Sequence, residues 1–472
     1  MNIYPQETQI ICCNSDGLEL RPSLVRLGRY SVLFELYGPG SGLRLSEALS
    51  NFQIIIRKRV VYSGRATIRN LVVSEHLEVC EVTLDESAWT DLELSTAMAG
   101  NGVLRKEFEV FIQDWQKLYR ILPDYKIIIA DMQSFLGDMR LWLEQVELQL
   151  RAAPEAQHGL LAENLIKELA GPLVDCVKVL FEKFEGVART VDEATAPAHR
   201  NYMRRQLHSM VLAAPFAHRT FTKPLGYAGD YEMVGMIARN GFEGKSLFAK
   251  ILHHAFCQQM PALAHRNRIL HLKTRLLEET ARCARHGQPA RILNLGCGPA
   301  LEVQQFLKES PLSDNARFTL LDFNDETLQY ARTALTEIAR QNGRRTEIAL
   351  QKKSVMQMLK ETARAKAADQ QPYDLVYCAG LFDYLPDATC RHLMNIFHGL
   401  TAPGGLVLAT NVEPSNPMRV GMEHLLDWNL IHRDAAQVRK LKPRLADEDD
   451  VSVFGDDTGV NVMLEIRKPA HA

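Results

Sequence analysis

The chain has 472 residues, of which 46% are hydrophobic and 24% charged, and its formal net charge is −2. That length predicts two or three domains with substantial buried cores. The near-balance of charge argues against a nucleic-acid partner whose phosphates the protein would coat.

No uninterrupted apolar run is long enough to span a bilayer. The start, MNIYPQETQ, carries neither the basic nor the apolar region of a secretory signal. The nine cysteines are scattered, without zinc-ligand spacing, so no metal is expected and a reduced, cytoplasmic protein is the reading. Cys12 and Cys13 are expected on opposite faces of a strand.

Residues 1–100 read as a small all-β domain, a barrel or sandwich. YSVLFELYG (30–38), FQIIIRKRVVYSGRATIRNLVV (52–73) and LEVCEVTL (77–84) are rich in β-branched and aromatic residues, with Gly/Ser turns between them. From about Val103 to Leu212 the apolar period becomes helical. Leu104, Phe108, Phe111, Trp115 and Leu118 form one stripe. Ile128, Met132, Phe135, Met139, Trp142, Val146 and Leu150 form another. A third helical pattern runs from about Asn164 past Phe184 and a fourth starts near Pro197. Residues 101–215 are therefore expected to be a helical bundle. It serves either as a homodimerisation element, alone or with the N-terminal domain, or as a cover over a lipophilic substrate.

Residues 216–472 alternate strand and helix from about His265, the pattern of a doubly wound, mostly parallel α/β sheet. Within ARILNLGCGPALEV, a buried strand (291–295) runs into Gly296-Cys297-Gly298, and a helix follows. Glycine suits a sharp turn where a ligand approaches the backbone. The third glycine of a dinucleotide fingerprint is replaced by Leu301, so a pyrophosphate site is disfavoured. The next strand ends in Asp322, placed to accept hydrogen bonds from both ribose hydroxyls, and Phe323 follows where an adenine would lie. VSVF, GDDTG and VNVMLEIRK read as a terminal antiparallel hairpin.

LNLGCGPA, LLDFNDETL, DLVYCAGLFDYLPD and APGGLVLAT, in this order, resemble the class I S-adenosylmethionine-dependent methyltransferases over roughly the last two hundred residues. The resemblance implies S-adenosylmethionine as cofactor. It also implies that Gly296 and Gly298 lie at the cofactor's methionine end, Asp322 at the ribose and Phe323 at the adenine, with Asn294 and Cys297 as further cofactor-binding residues. Ser354 and Val355 would flank the adenine, where the family often has an aspartate. Ala379, Gly380 and Leu381 would lie near the sulfonium. KPLGYAGDYEMVGMI (223–237) and DWNLIHRD (427–434) are similar to the extracellular-factor 3-hydroxypalmitic acid methyl ester biosynthesis proteins, class I methyltransferases associated with quorum signals. That similarity implies a 3-hydroxy fatty acid carboxylate as the methyl acceptor. The first hundred residues resemble PilZ-like domains, several of which bind cyclic di-GMP. Arg21 and Arg26 stand at the basic start of such a domain, but no D-x-S-x-x-G element follows.

The absence of NPPY or DPPY and the near-neutral charge favour a small-molecule acceptor over nucleic acid. An ionised carboxylate attacks a sulfonium methyl without a general base, so esterification needs alignment and exclusion of water. A hydroxyl or amine acceptor would need a base, for which His218, His253, His254, His432, Asp383 and Tyr227 are candidates. Arg433 could hold a carboxylate through two bonds, with a surface salt bridge as the alternative. Asp383 and Tyr384 are secondary candidates for lining the acceptor site.

TKPLGYAGDYEM (222–233) reads as a lid over the sulfonium rather than a linker. Tyr227 and Tyr231 would wall the pocket and Lys223 would attract an acidic acceptor. Asp230 would either contact the cofactor or cap a helix. Two other readings stay open: a messenger-sensing regulatory protein that uses the methyltransferase fold as a scaffold, and methylation of another metabolite or of a protein carboxylate.

Overall fold

The computed structural model describes residues 8–37, 41–56, 59–73, 77–85, 88–89, 112, 121–152, 154–364 and 371–470. They form two compact units. The first comprises 1–228, 241–258 and 417–429, and the second 229–240, 259–416 and 430–472.

In the first unit, β-branched and aromatic residues form seven antiparallel strands. They are β1 (Thr8–Cys13), β2 (Glu19–Leu20), β3 (Ser23–Leu27), β4 (Ser31–Tyr37), β5 (Ala48–Ile56), β6 (Arg59–Val73) and β7 (Leu77–Leu84), ordered β2-β1-β5-β6-β7-β4-β3. Inward positions alternate, as a one-sided sheet requires: Val32 and Phe34, Phe52 and Ile54, Cys80, Val82 and Leu84 are all buried. Phe34, Phe52 and Tyr62 link the core through ring contacts at 6.3 and 6.1 Å. Cys12 is buried and Cys13 only partly so, in line with opposite faces of a strand. The long run 52–73 is not one strand. It folds back so that Ile54 pairs with Tyr62 and Ile56 with Arg59. Strands β2 and β3 lack the strong apolar alternation that marked the others, and the sequence reading passed over them.

The same unit contains the helices Pro123–Ala152, Glu155–Ala188, Ala196–Val211, Pro215–Thr222, Leu247–Cys257 and Arg419–Leu425. In the first of these the buried face is Tyr125, Ile128, Ile129, Met132, Leu136, Met139 and Leu143. The expected stripe was correct at Ile128, Met132 and Met139 but placed Trp142 inward, whereas that ring is 46% exposed. The buried face keeps a seven-residue spacing through Tyr125, Met132 and Met139 and through Ile129, Leu136 and Leu143, which leaves Trp142 outside. The stripe Leu104–Leu118 lies outside the described residues. The expected boundaries at 100 and 215 also differ from the structure: strands and helices share one unit, and 216–228, 241–258 and 417–429 belong to it.

The second unit is a seven-stranded sheet ordered β10-β9-β8-β11-β12-β14-β13. Its strands are β8 (Ala290–Leu295), β9 (Ala316–Asp322), β10 (Glu347–Lys352), β11 (Tyr373–Cys378), β12 (Thr401–Val412), β13 (Val451–Gly455) and β14 (Asn461–Arg467). The first five are parallel, while β14 runs antiparallel to both β12 and β13. The terminal hairpin is thus as expected, with β14 inside and β13 at the edge. Apolar layers pack on each face of the sheet, one around Leu293, Val376 and Phe397, the other around Ile292, Phe306 and Phe318. The strand order reverses between β8 and β11, so a crevice opens at their carboxyl ends, where sheets of this kind bind ligands. Among the described residues no helix is long and apolar enough to cross a membrane.

Candidate active site

The turn after β8 is built from left-handed backbone: Gly296 has φ +72°, Gly298 +52° and Ala300 +52°. The N–H groups of Gly296 and Cys297 donate to the Leu321 carbonyl, at 2.8 and 3.0 Å. Asp322 completes the bracket, accepting from Gly298 N–H on Oδ2 and from Asn324 N–H on Oδ1, each at 3.0 Å. Ribose hydroxyls at this carboxylate would share its oxygens with the two bracing N–H groups. A Cβ built on Gly298 meets nothing within 4 Å, so the loop faces open space there.

The turn after β11 faces this loop. A Cβ on Gly296 would sit 3.5 Å from Leu381 Cδ2. Gly380 has φ +82° and donates its N–H to Thr410 Oγ1 at 3.1 Å. A side chain on Gly380 would strike the Arg268 guanidinium, at 3.0 Å from one terminal nitrogen. Arg268 belongs to the helix Met260–Ala284, and among the described residues it has no hydrogen bond or ion pair. Burial lowers its pKa, and the charges of Asp383, Tyr384, Glu302 and Cys378 only partly offset that. The sequence reading missed Arg268. Its signal was a charged residue in register with Leu272 and Leu276, the buried face of an amphipathic helix.

Other predicted residues support the loops instead of lining the space. Asn294 is 3% exposed and donates to Glu302 Oε1 at 3.2 Å, and Tyr377 donates to the same oxygen at 2.7 Å. Burial pushes the Glu302 carboxyl and the Cys297 thiol up, so Cys297 contributes backbone and bulk rather than a thiolate. Ser354 Oγ accepts from Gln357 N–H at 3.2 Å as a helix cap, and Val355 is buried in the core. Phe323 follows Asp322 and is partly buried.

Three acceptor-site expectations are overturned by geometry. Arg433 is 2% exposed, and all its donors are taken. They bond Asp387 (2.9 Å), the carbonyls of Phe382 (2.8 Å) and Leu385 (2.6 Å), and Asn411 (2.7 Å). It is neither a carboxylate receptor nor a surface salt bridge but a clamp on the loop after β11. Asp383 is buried and accepts Val412 N–H at 2.7 Å; burial raises its pKa, partly offset by Arg268. Lys223 is buried in the first unit, its Nζ 2.9 Å from the Asp427 carbonyl, so it is not displayed to an acidic acceptor. His432 Nδ1 lies 3.1 Å from the Leu430 carbonyl.

The segment TKPLGYAGDYEM is divided between the units: Tyr227 belongs to the first and Tyr231 to the second. Asp230 caps the helix Tyr231–Arg239 through the N–H groups of Glu232 and Met233. Tyr231 donates to Glu326 at 2.8 Å, and its ring lies 4.6 Å from that of Tyr330. Gly229 leaves room for Tyr384, whose hydroxyl would be 3.0 Å from a Cβ at that position. Arg21 and Arg26 are exposed and pair with Glu19 and Glu81. Among the described residues no cluster of potential metal ligands occurs.

Residues 292–405 match the sequence model of a family described as "Methyltransferase domain". They run from β8 into β12 and so include the two facing loops and Asp322. The chain is an S-adenosylmethionine-dependent methyltransferase. A comparison with curated proteins gave no match. Solved structures similar to this methyltransferase include a possible exported protein from Bordetella parapertussis, with 20% identity, 58% of this chain and 97% of that chain covered, and a TM-score of 0.40. Magnesium protoporphyrin IX methyltransferase from Synechocystis gives 12%, 43%, 84% and 0.30. An N-methyltransferase from Bradyrhizobium japonicum gives 15%, 43%, 87% and 0.29.

The site fits the cofactor on its own geometry. Gly298 gives close backbone approach, Asp322 offers acceptors, and Arg268 presents a positive charge, only partly offset by its acidic neighbours, that suits the carboxylate of a methionine moiety.

Proposed function

We propose that this methyltransferase esterifies the carboxylate of a small lipophilic acid, with a 3-hydroxy fatty acid as the leading acceptor. The observation that carries this reading is that the charged side chain against Gly380, at the β11 loop, is a cation, Arg268. Asp383, which is buried, accepts Val412 N–H through one oxygen, and a cation against Gly380 would balance an acidic acceptor. Such a site suits a nucleophile that arrives already ionised. The choice of a 3-hydroxy fatty acid rests on the sequence resemblance.

S-adenosylmethionine supplies an electrophilic methyl group on a sulfonium. The protein's part is to brace Gly298 through Asp322, to balance negative charge with Arg268, and to hold the loops at Gly296 and Leu381 together so that water is excluded. The carboxylate oxygen gains the methyl carbon, the C–S bond breaks, and S-adenosylhomocysteine leaves with the bond's electron pair. The anion and the sulfonium neutralise each other, so no proton moves.

Incubation with methyl-labelled cofactor and 3-hydroxy fatty acids of graded length, followed by mass analysis, tests this. A base-labile methyl ester supports it. An N-methylated product or a labelled protein from cell extract would replace it with one of the other acceptors. For the regulatory alternative, cyclic di-GMP titration is the discriminating experiment, with tight binding and no methyl transfer as the result favouring it.

A further inference from the structure

We infer that the first unit carries a second site, for a small metabolite bearing a multiply charged oxyanion, between strands β6 and β7 and the helix Ala196–Val211. A cavity of about 400 Å³ opens there, with Arg65, Thr83, Asn201, Arg204, Arg205 and Asp427 on its wall. That volume lies within the range of small-molecule sites, roughly 300–1,000 Å³.

Charge defines what could occupy it. Arg65, Arg204 and Arg205 line the cavity, and Arg200 and Lys223 stand around the same carboxylate, Asp427. Among the described residues the wall itself sets three cations, Arg65, Arg204 and Arg205, against two acids, Asp427 and Asp85. Asp427 Oδ1 is 3.0 Å from Arg204 Nη2 and 3.8 Å from Arg200 Nη1, and Lys223 Nζ is 3.8 Å from Oδ2. Backbone carbonyls of Phe221, His424 and Asp427 take further donors of Arg65, Arg204 and Lys223, but they carry no charge to balance them. On the wall, Asn201 Nδ2 is buried with no hydrogen-bond partner, and behind it Nη1 of Arg200, 3% exposed, has none either. Buried donors without acceptors are costly, and in a basic cavity an oxyanion is what satisfies them.

The occupant's remaining chemistry follows from the aromatic ring at the site. Phe221 already receives Arg65 and Arg204, at 4.6 and 5.4 Å from its centre, so it is not open for stacking a nucleobase. Recognition is by charge and hydrogen bonds, as suits a phosphate monoester or a polycarboxylate.

The test is calorimetric titration of the full chain with inorganic phosphate, glucose 6-phosphate and citrate, against sodium chloride at matched ionic strength. Saturable binding of one equivalent is expected. Arg205→Glu, a change at an exposed position, and Asn201→Leu should each weaken it tenfold or more while leaving the circular dichroism unchanged. Binding of the monoester without citrate identifies a phosphate ligand, and the converse a polycarboxylate. Heat no larger than the chloride control, or equal affinity in Arg205→Glu and Asn201→Leu, would overturn the site.

Discussion

The N–H of Gly298 lies 3.0 Å from Oδ2 of Asp322, so the carboxylate at the end of β9 also shapes the glycine loop after β8. Substitution at Asp322 therefore removes a ligand contact and a structural brace together. Asp322→Ala should weaken S-adenosylmethionine binding by about 10- to 100-fold, the loss of one or two charge-assisted hydrogen bonds. Asp322→Asn, which keeps one oxygen acceptor, should lose less. Titration calorimetry checks the order, and equal affinity in folded Asp322→Ala would remove Asp322 from the site.

Arg268 separates a ligand-binding cation from a structural one. A structural arginine destabilises the protein when removed; a half-buried cation with no hydrogen bond among the described residues, whose charge its neighbours only partly offset, costs stability while it is present. Arg268→Met should therefore raise the melting temperature of the cofactor-free protein and weaken cofactor binding by about tenfold. A fall in melting temperature with unchanged affinity would make Arg268 a scaffold residue.

Arg433 should behave in the opposite way. Its donors hold two carbonyls and Asn411, so Arg433→Met should lower stability by about 3–5 kcal/mol, as when a buried charged network is broken. The KM for an acid acceptor, measured on enzyme that remains folded at low temperature, should change little. A selective rise in KM would restore Arg433 as an acceptor contact.

Asp427 makes a parallel case in the first unit. Burial pushes its carboxyl up, but Arg204, Lys223, Arg200 and Arg65 outweigh burial and hold it below the usual carboxylate range. Asp427→Ala strands these cations and should cost about 3–5 kcal/mol in chemical denaturation. A loss under about 1 kcal/mol would show that the cluster is solvated.

Acid should destabilise the same unit. Burial, then the Arg204 charge, pushes the His208 pKa down to about 4. The unfolded chain takes up this proton near its ordinary value of about 6.5. The unfolded state therefore binds more protons between about pH 4 and 6.5, and stability falls as pH drops through that window. His424, buried with Nδ1 3.0 Å from Tyr125 Oη, shifts in the same direction. His208→Gln should flatten the pH dependence of the melting temperature, and an unchanged slope would exclude His208 as a contributor.

Most of the methyltransferase sheet was legible because β8, β9, β11 and β12 carry apolar runs, and Gly296, Gly298 and Asp322 fall at the ends of β8 and β9; β10, EIALQK, is half polar and was not. The roles of Arg433, Lys223 and Asp383 were not legible. Local sequence shows a charged residue near a motif but not that Phe382, Leu385 and Asn411 will consume its donors. Arg268 was hidden for the converse reason: it precedes the glycine loop by a helix, and only the fold brings it to Gly380. The split of TKPLGYAGDYEM between two units likewise depends on long-range packing, such as Ala48 N–H donating to the Gly226 carbonyl at 2.6 Å.

The most direct measurement is transfer of labelled methyl from S-adenosylmethionine, using wild-type enzyme, Asp322→Ala and a 3-hydroxy fatty acid. Wild type should form a base-labile methyl ester and S-adenosylhomocysteine in equal amounts, and Asp322→Ala should do so only at raised cofactor concentration. Cofactor bound by neither protein, or label recovered only on nitrogen, would contradict the account.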